Sequence, residues 1–226
     1  MSARRALRTG GLWFDGKTAY VQIPAMPFSY PMTICLWVKP FDGGRRHYVY
    51  ASKSGDDGWG LEDETHVSQF DGYFSFFSKT NGVTHVDKRS IAPVTADWHF
   101  ISVVLDSTYR FYLNSSLVDS VAIVGTPDFS TYDAVTYIGR PVTSVRFMYG
   151  IIDDVRIYNR ALSKDEIKAI YERDELIKDG LVLYLDFSEY EGNIAYDKSG
   201  YNNHGIIYGG ARWVIKKALR VLPSVR

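Results

Sequence analysis

The carboxylate of Asp153 occupies a sequence position that calls for a chemical explanation. The surrounding residues, IIDDVRIYN, alternate as a β-strand does. Successive strand side chains point to opposite faces, so Asp153 is predicted to share a core-facing side with Ile151, Val155 and Ile157. A carboxylate there costs on the order of several kcal/mol unless it is hydrogen-bonded, ion-paired or bound to a cation. Asp153 is therefore a candidate ligand for a hard cation such as calcium, with hydrogen bonds from loop amides as the alternative.

This strand is followed by a helix with clear start and stop signals. Ser163 is predicted as the N-cap, and Glu166 holds the reciprocal position of a capping box. Apolar residues at helical spacing form one narrow stripe, and Asp179 and Gly180 supply a stop. The prediction is a short surface helix near 163–178.

The composition favours one all-β domain over residues 1–226. The chain is 46% hydrophobic and 15% aromatic, so it can bury a large core. Its 17 Tyr, 12 Phe and 19 Gly accompany only one helix-like stretch, and aromatic side chains suit a pleated sheet. Strand-like runs such as MTICLWVKP and HFISVVLD recur with turn signals between them, and Asn114-Ser115 has a hairpin position. This spacing predicts a two-sheet antiparallel sandwich.

Charge and cysteine content exclude several classes of function. The formal net charge is zero, which argues against capture of nucleic acid by the whole surface. Cys35 is the only cysteine, so an internal disulfide and a cysteine zinc site are excluded, and it is predicted as a core thiol.

The chain has no signal-peptide core and no apolar run of membrane length. We expect an extracellular or particle-surface location, reached through another part of a longer polypeptide, another export route or release in a particle.

Basic residues concentrate near the two ends of the sequence. Arg4-Arg5-Ala6-Leu7-Arg8 is echoed by Lys216-Lys217-Ala218-Leu219-Arg220. If the two segments meet in space they form one basic patch, although terminal charge is commonly only solvated. The echo also suits a tandem ancestry.

The order of these motifs resembles the laminin-G-like, concanavalin A-like jelly-roll domains. GIIDDVRIYNRALSKDEI resembles the closing strand and helix of that family, while Leu181–Gly205 and Arg4–Pro24 resemble its opening D-x-S-G loop and F-D-G strand. The opening portion thus follows the closing one, as in a circular permutant or a window cut from a tandem array. We expect one closed jelly roll, with the main strands in 1–162 and the missing opening strands supplied by 181–214.

Catalytic motifs known from relatives of this fold are absent from the sequence. Glycoside hydrolases need two carboxylates close together, and the E-x-D-x-x-E spacing of the enzymes that this fold resembles does not occur. Glu62-Asp63-Glu64 is an acidic cluster, but strand alternation turns Asp63 away from its neighbours. The chain also has no G-x-S-x-G elbow and no Gly-rich phosphate loop. We therefore do not expect an enzyme.

The resemblance implies a structural calcium ion between the closing strand and the opening segment. By motif match the ligands are the side chain of Asp153 and main-chain oxygen near Asp186. Asp197 or Asn202, in the D-x-S-G loop, could join them. Such an ion would clamp the joined segments together.

The resemblance also implies a surface that binds glycans through aromatic side chains. Trp59, beside the acidic cluster, is the first candidate platform, followed by Tyr73, Phe77, Trp98 and Tyr149. The leading hypothesis is a non-catalytic binding or adhesion module for glycans. The alternative is a structural protein of an assembly, such as a virion surface or decoration protein. Expected partners are a glycan or a protein surface, including a homo-oligomer or neighbouring repeats, without specific nucleic acid binding or membrane insertion.

Overall fold

The computed structural model of the chain describes residues 10–26, 30–41, 47–54, 63–70, 73–80, 83–127, 135–140 and 147–214. These residues form sixteen strands, β1 to β16, and one helix, α1. In chain order the strands are Gly11–Asp15, Tyr20–Ile23, Met32–Pro40, His47–Ser54, Asp63–Phe70, Tyr73–Thr80, Val83–Pro93, His99–Leu105, Thr108–Leu113, Ser116–Ala122, Thr136–Ile138, Tyr149–Tyr158, Leu181–Leu185, Ile194–Ala195, Gly205–Tyr208 and Arg212–Val214. The helix α1 spans Lys164–Arg173 and lies between β12 and β13 in sequence.

The strands form two antiparallel sheets, as the sequence predicts. The first sheet has the order β10-β9-β8-β3-β12-β1-β16, and β13 also pairs with β12. The second sheet has the order β14-β15-β2-β11-β4-β5-β6-β7. Asn114 and Ser115 have positive φ angles of 51° and 64° and join β9 to β10, which confirms the predicted hairpin. No helix in the described part of the chain is both long enough and apolar enough to cross a membrane.

The inner faces of the two sheets enclose the main hydrophobic core. Leu36 and Ile101 contribute to it from the first sheet, and Val21 and Ile138 from the second, each fully buried. In this core Phe76 of β6 stacks on a tyrosine of β9, with ring centres 5.2 Å apart. Alternation along each strand therefore assigns every second side chain to this interior.

The outer face of the first sheet is covered by α1 and forms a second core. Trp37 of β3 stacks on Tyr171 of the helix with ring centres 5.5 Å apart, and Phe100 of β8 lies 5.7 Å from the same ring. Cys35 is buried in this cluster, which confirms the predicted core thiol, and burial raises its pKa to about 12. This face of the sandwich is closed to solvent where the helix lies.

Arg156, a buried charged residue of β12, joins the end of the helix to the first sheet. Its guanidinium donates to both carboxylate oxygens of Asp154, at 2.7 and 3.1 Å. It also donates to the Asp174 carboxylate at 2.8 Å and to the Glu175 carbonyl at 2.7 Å, and lies 4.7 Å from the ring centre of Tyr184. Burial lowers the pKa of Arg156 and is the largest single effect, but attraction to Asp154 and Tyr184 and the hydrogen bonds to Asp154 together outweigh it, so the pKa rises and the charge is retained.

The helix starts where the sequence predicts and ends earlier. Ser163 is the N-cap, and both hydrogen bonds of its capping box with Glu166 are present. The predicted end near residue 178 is wrong, because Asp174 adopts a left-handed conformation with φ of 56° and caps the helix after Arg173. Arg156 then binds the chain just beyond this cap, so a tertiary contact accompanies the early end.

A β-bulge in β12 changes the predicted orientation of Asp153. The register between β12 and β3 shifts after this residue, where Asp154 has φ of 55°. An extra residue shifts the alternation by one, so Val155 packs in the main core together with Ile152, while Ile151 packs against the second core. The prediction that Asp153 shares a face with Val155 is therefore wrong, although Asp153 is buried, with 3% of its surface exposed.

Residues 181–214 add strands to both sheets. β13 pairs with β12 and β16 with β1 in the first sheet, whereas β15 pairs with β2 in the second sheet and carries β14 at the sheet's edge. The order of these strands relative to the family stays a prediction. The strands β5, β7 and β14 were not predicted, because their sequences do not alternate clearly and their pairing partners stabilise them.

Replacing Arg156 with alanine is expected to lower the free energy of unfolding by about 3 to 5 kcal/mol, because the buried Asp154 carboxylate loses both hydrogen bonds from the guanidinium. Arg160→Ala is the matched control. Its ion pair with Glu166 is partly exposed, at 24% and 28%, and such pairs contribute about 1 kcal/mol or less. Urea unfolding of both variants measures the difference, and equal losses would contradict the structural role of Arg156.

Candidate functional site

The second sheet lies on the opposite side of the main core from α1 and presents an outer face of its own. In β2, Val21 and Ile23 are fully buried in the core, so Tyr20 and Gln22 lie on the outer face. The same alternation applies to β11, β14 and β15. Four neighbouring strands therefore contribute outward side chains to one continuous surface.

Strand register brings these outward side chains into rows. One row consists, in order across β14, β15, β2 and β11, of Ile194, Ile206, Gln22 and Tyr137. A second row, on one side of the first, has Tyr208 of β15 opposite Tyr20 of β2. A third row, on the other side of the first, has Tyr196 in contact with His204, with ring centres 5.2 Å apart. Arg140 and Phe147 pack on the ring of Tyr20. We define the outer platform as the ten residues Tyr20, Gln22, Tyr137, Arg140, Phe147, Ile194, Tyr196, His204, Ile206 and Tyr208.

Aromatic rings and one guanidinium form a ladder at one side of the outer platform. Tyr20 stacks on Tyr208 with ring centres 4.9 Å apart and an interplanar angle of 15°. Arg140 places its guanidinium carbon 4.7 Å from the ring centre of Tyr20 and 4.9 Å from that of Tyr137, with Phe147 at 5.8 Å. Stacking and cation-π attraction therefore hold these side chains in fixed positions.

Four side chains of the outer platform are exposed to solvent. The exposed fractions are 37% for Ile194, 42% for Ile206, 38% for Tyr208 and 49% for Tyr196. Large apolar side chains exposed next to one another commonly mark a binding surface. The amide of Gln22 lies within the same rows and supplies both hydrogen-bond donors and acceptors.

Asp15 shapes the turn from β1 to β2 and so the position of Tyr20. Its Oδ1 accepts hydrogen bonds from the backbone N–H groups of Lys17, Thr18 and Ala19 at 2.8, 2.8 and 2.9 Å. Its Oδ2 accepts from the hydroxyl of Thr18 at 2.7 Å. Burial raises the pKa of Asp15, but these hydrogen bonds outweigh burial and lower it to about 2.

The turn after Tyr208 packs against this same loop. Gly210 donates its backbone N–H to the hydroxyl of Thr18 at 3.1 Å. Gly209 has φ of 69°, and a Cβ atom there would lie 2.0 Å from the carbonyl oxygen of Thr18, so no other residue fits. This contact keeps Tyr208 beside Tyr20 on the outer platform.

Asp197 organises the loop that carries Tyr196. Its Oδ1 accepts from the N–H groups of Tyr184 and Ser199, both at 2.9 Å. Its Oδ2 accepts from the hydroxyl of Ser199 at 2.8 Å and from the N–H of Asn203 at 2.9 Å. Four hydrogen bonds to one carboxylate fix the loop and the approach to β14 and β15.

Two of the predicted calcium-binding residues, Asp186 and Asp197, use their carboxylate oxygens for contacts with protein donors. Both carboxylate oxygens of Asp186 lie 2.6 Å from the Lys198 ammonium, and the acceptors of Asp197 are used by protein donors. These two side chains therefore do not fit as ligands. Asn202 is exposed, with φ of 59°. Across the described ranges, no three His, Cys, Asp or Glu side chains form a metal-binding group, so the prediction rests on Asp153 and main-chain oxygens.

The predicted ligand-binding aromatics do not come together in one site. Trp98 is 6% exposed within the second core, so its predicted place at a binding surface is wrong. Tyr73, 41% exposed, and Phe77 belong to β6, three strands beyond β11 in the second sheet, whereas Tyr149 lies in β12 of the first sheet. Trp59, Glu62 and the basic segments 1–9 and 215–226 lie outside the described residues. A binding role for Tyr73, Phe77 and Tyr149 stays a prediction.

None of the outer platform residues was identified from the sequence. The alternation in YVQI and GIIY signals two faces for each strand, but it does not say which strands are neighbours. Only pairing of β15 with β2 places Tyr208 opposite Tyr20.

Comparison with known proteins relates the chain to the concanavalin A-like fold. A family model described as the concanavalin A-like lectin/glucanases superfamily matches residues 15–168, more than half of the chain. A comparison with curated protein sequences found no match.

Solved structures share the fold at low sequence identity. A candidate carbohydrate-binding protein from Bacteroides ovatus superposes with a TM-score of 0.65 and 15% identity over 93% of this chain, and the chain spans 60% of its length. Domain 4 of the extracellular arabinanase AbnA from Geobacillus stearothermophilus, in complex with arabinotriose, gives 0.55 and 18%, covering 70% of this chain and 75% of that one. The sialidase module CBM40 from Ruminococcus gnavus, bound to α2,3 sialyllactose, gives 0.54 and 16%, covering 64% and 84%.

Asp15 is expected to make stability depend on pH in acid. Its folded pKa of about 2 lies below the ordinary value of 3.8, so its contribution is present above pH 3.8 and is lost as the pH falls towards 2. Asp15→Asn is therefore expected to melt at a lower temperature at pH 7 and to lose less stability in acid than the parent protein. Thermal melts at a series of pH values measure this.

Measuring the contribution of Asp15 at low pH requires a protein variant that lacks the Glu166 carboxylate. Hydrogen bonding from Arg160 lowers the pKa of Glu166 to about 2 as well, so both groups titrate in the same range. In a Glu166→Gln background, equal pH dependence with and without Asp15→Asn would contradict the role of Asp15.

Proposed function

This chain belongs to the concanavalin A-like lectin/glucanases superfamily, and we propose that it is a non-catalytic glycan-binding module whose ligand lies on the outer platform. The observation that carries the proposal is the composition of this face. Aromatic and apolar side chains stand beside an amide, an imidazole and a guanidinium. Aromatic rings stack on the apolar faces of sugars while polar groups bind hydroxyls, so this combination suits a glycan.

The dimensions of the outer platform suit a short oligosaccharide. Three steps between neighbouring strands span roughly 14 Å, and the four residues between its outer rows span about the same length. The outer platform therefore covers about 200 Å² in projection, and a short oligosaccharide fits this area. The second sheet continues beyond it over β4 to β7.

The relatives support a glycan as the class of ligand. One contains arabinotriose and another sialyllactose. At 18% and 16% sequence identity, these structures share the fold of this chain but do not indicate which sugar it binds. The sugar itself is for a glycan array to identify.

The outer platform supports binding without hydrolysis. Its ten residues include no Asp and no Glu, and glycoside hydrolysis requires a pair of carboxylates beside the scissile bond. We place the module at an extracellular or particle surface, where glycans are accessible.

A structural calcium ion beside Asp153 is a further part of the proposal. Asp153 is buried, with 3% of its surface exposed, and carboxylate and main-chain oxygens are the ligands that calcium takes in proteins. Main-chain oxygens near Asp186 would complete the coordination. The ion would stabilise the contact between β12 and β13 and would take no part in sugar recognition.

One observation favours the alternative, a structural protein of an assembly. β10 is an edge strand of the first sheet, and Leu117, Val118 and Val121 on it are 49%, 43% and 41% exposed. Exposed apolar edge strands can pair with a second chain. A register shift between Leu117 and Asp119 distorts this edge, which is a device that discourages such pairing, so glycan binding is favoured.

Tyr208→Ala is expected to lower the affinity for the glycan bound on an array by about tenfold, because a stacking ring is lost. Tyr190→Ala is the matched control, since Tyr190 has nearly the same exposure, 36% against 38%, and lies outside the outer platform. Titration calorimetry of both variants measures the difference. Equal affinities for Tyr208→Ala and the parent protein would remove the outer platform as the site.

Calcium is expected to raise the melting temperature relative to the same protein in chelator, because the ion binds only the folded state. Asp153→Asn is expected to abolish this difference. Asp186→Asn is the control, because the Asp186 side chain pairs with Lys198 and is not proposed as a ligand. Identical melting of the parent protein with calcium and with chelator would reject the ion.

A further inference from the structure

The two exposed aromatic rings of the outer platform lie at opposite ends of its length. Tyr196 follows β14 and Tyr208 ends β15, with exposed fractions of 49% and 38%. In contrast, Tyr20 packs between Tyr208 and Arg140, so its two faces are in use within the ladder. Tyr196 and Tyr208 are therefore the rings best placed to stack on a ligand.

An apolar floor connects these two rings. Ile194 and Ile206 pair directly across β14 and β15 and lie in the row between Tyr196 and Tyr208. Four residues of extended strand separate the outer rows, which corresponds to roughly 14 Å. This length exceeds the width of one sugar ring and matches a short run of linked sugars.

The floor is open on its solvent side and has no described walls. Ile194 and Ile206 are 37% and 42% exposed, so a sugar lying on them would bury one face only. Pockets for small ligands typically bury about 70 to 90% of the ligand surface. A surface that contacts each sugar on one side must contact several sugars to reach useful affinity.

We propose that the ligand is an extended stretch of a glycan chain that lies along β14 and β15, from Tyr196 to Tyr208, and not a single terminal sugar. This inference rests on the proposed function and adds the class and direction of the ligand. The amide of Gln22, paired with Ile206 in the central row, faces the middle of the chain and binds hydroxyls there. The two strands lie beyond residue 168, outside the stretch that matches the superfamily model.

The test uses reducing-end-immobilised arabino-, xylo- and N-acetyllactosamine oligosaccharides of one to six units as probes. Binding to the parent protein is expected to rise with the number of units up to about three and then to level off, because the rows that carry the two rings are roughly 14 Å apart along the strands. A series in which one unit binds as tightly as six overturns the inference and leaves glycan binding intact. Absence of binding to every probe and to every glycan of a broad array overturns the proposed function and this inference with it.

Two variants test the direction of the chain. Tyr196→Ala and Tyr208→Ala are each expected to weaken binding of the longest probes by about tenfold. For one-unit probes, at most one of the two variants is expected to have an effect, because one sugar cannot contact both rings. Tyr201→Ala is the control, since Tyr201 is 58% exposed in the adjoining loop and lies outside the rows. An unchanged affinity of Tyr196→Ala for all lengths, with intact circular dichroism, overturns the proposed path.

Discussion

The contacts of the buried Arg156 guanidinium determine which face of the sandwich the helix covers. The guanidinium reaches from β12 to Asp154, to the chain beyond α1 and to the ring of Tyr184 in β13. Removing a charge from water is costly unless every contact compensates for it, so this network tolerates little movement of the helix. The helix is thereby held on the outer face of the first sheet, where Tyr171 covers Trp37. The helix therefore closes this part of the first sheet, and the outer platform on the second sheet is the face proposed for the ligand.

Carboxylates in this chain organise loops around the outer platform. Asp15 caps the turn before β2, Asp197 holds the loop before β15, and Asp186 pairs with Lys198 nearby. Each uses protein donors to satisfy its oxygens, which is the commonest solution for a partly buried carboxylate. Aspartate side chains can signal catalysis or metal binding, but these three stabilise the backbone of loops. The chemistry of the outer platform accordingly comes from rings, amides and a guanidinium.

Sequence reasoning succeeded where the signals are local. The capping box of Ser163 and Glu166 uses residues three positions apart, and the hairpin at Asn114 depends on two adjacent residues, so both follow from short-range patterns. It failed at the end of the helix and at Asp153. The left-handed cap at Asp174 and the bulge in β12 accompany contacts with distant strands, which no local pattern records. Trp98 was misassigned for the same reason, since its burial depends on the second core, which residues distant in sequence build together.

The sequence alone determined the all-β class, the core thiol at Cys35, the start of the helix and the resemblance to a lectin-like family, because alternation, capping and composition are local properties. Only the tertiary structure decided which outward side chains meet. Tyr20 and Tyr208 are far apart in the sequence, and each strand signals only that it has two faces. Their stacking depends on the register between β2 and β15, which is set by packing of both sheets against one core and by the glycine turn against Thr18.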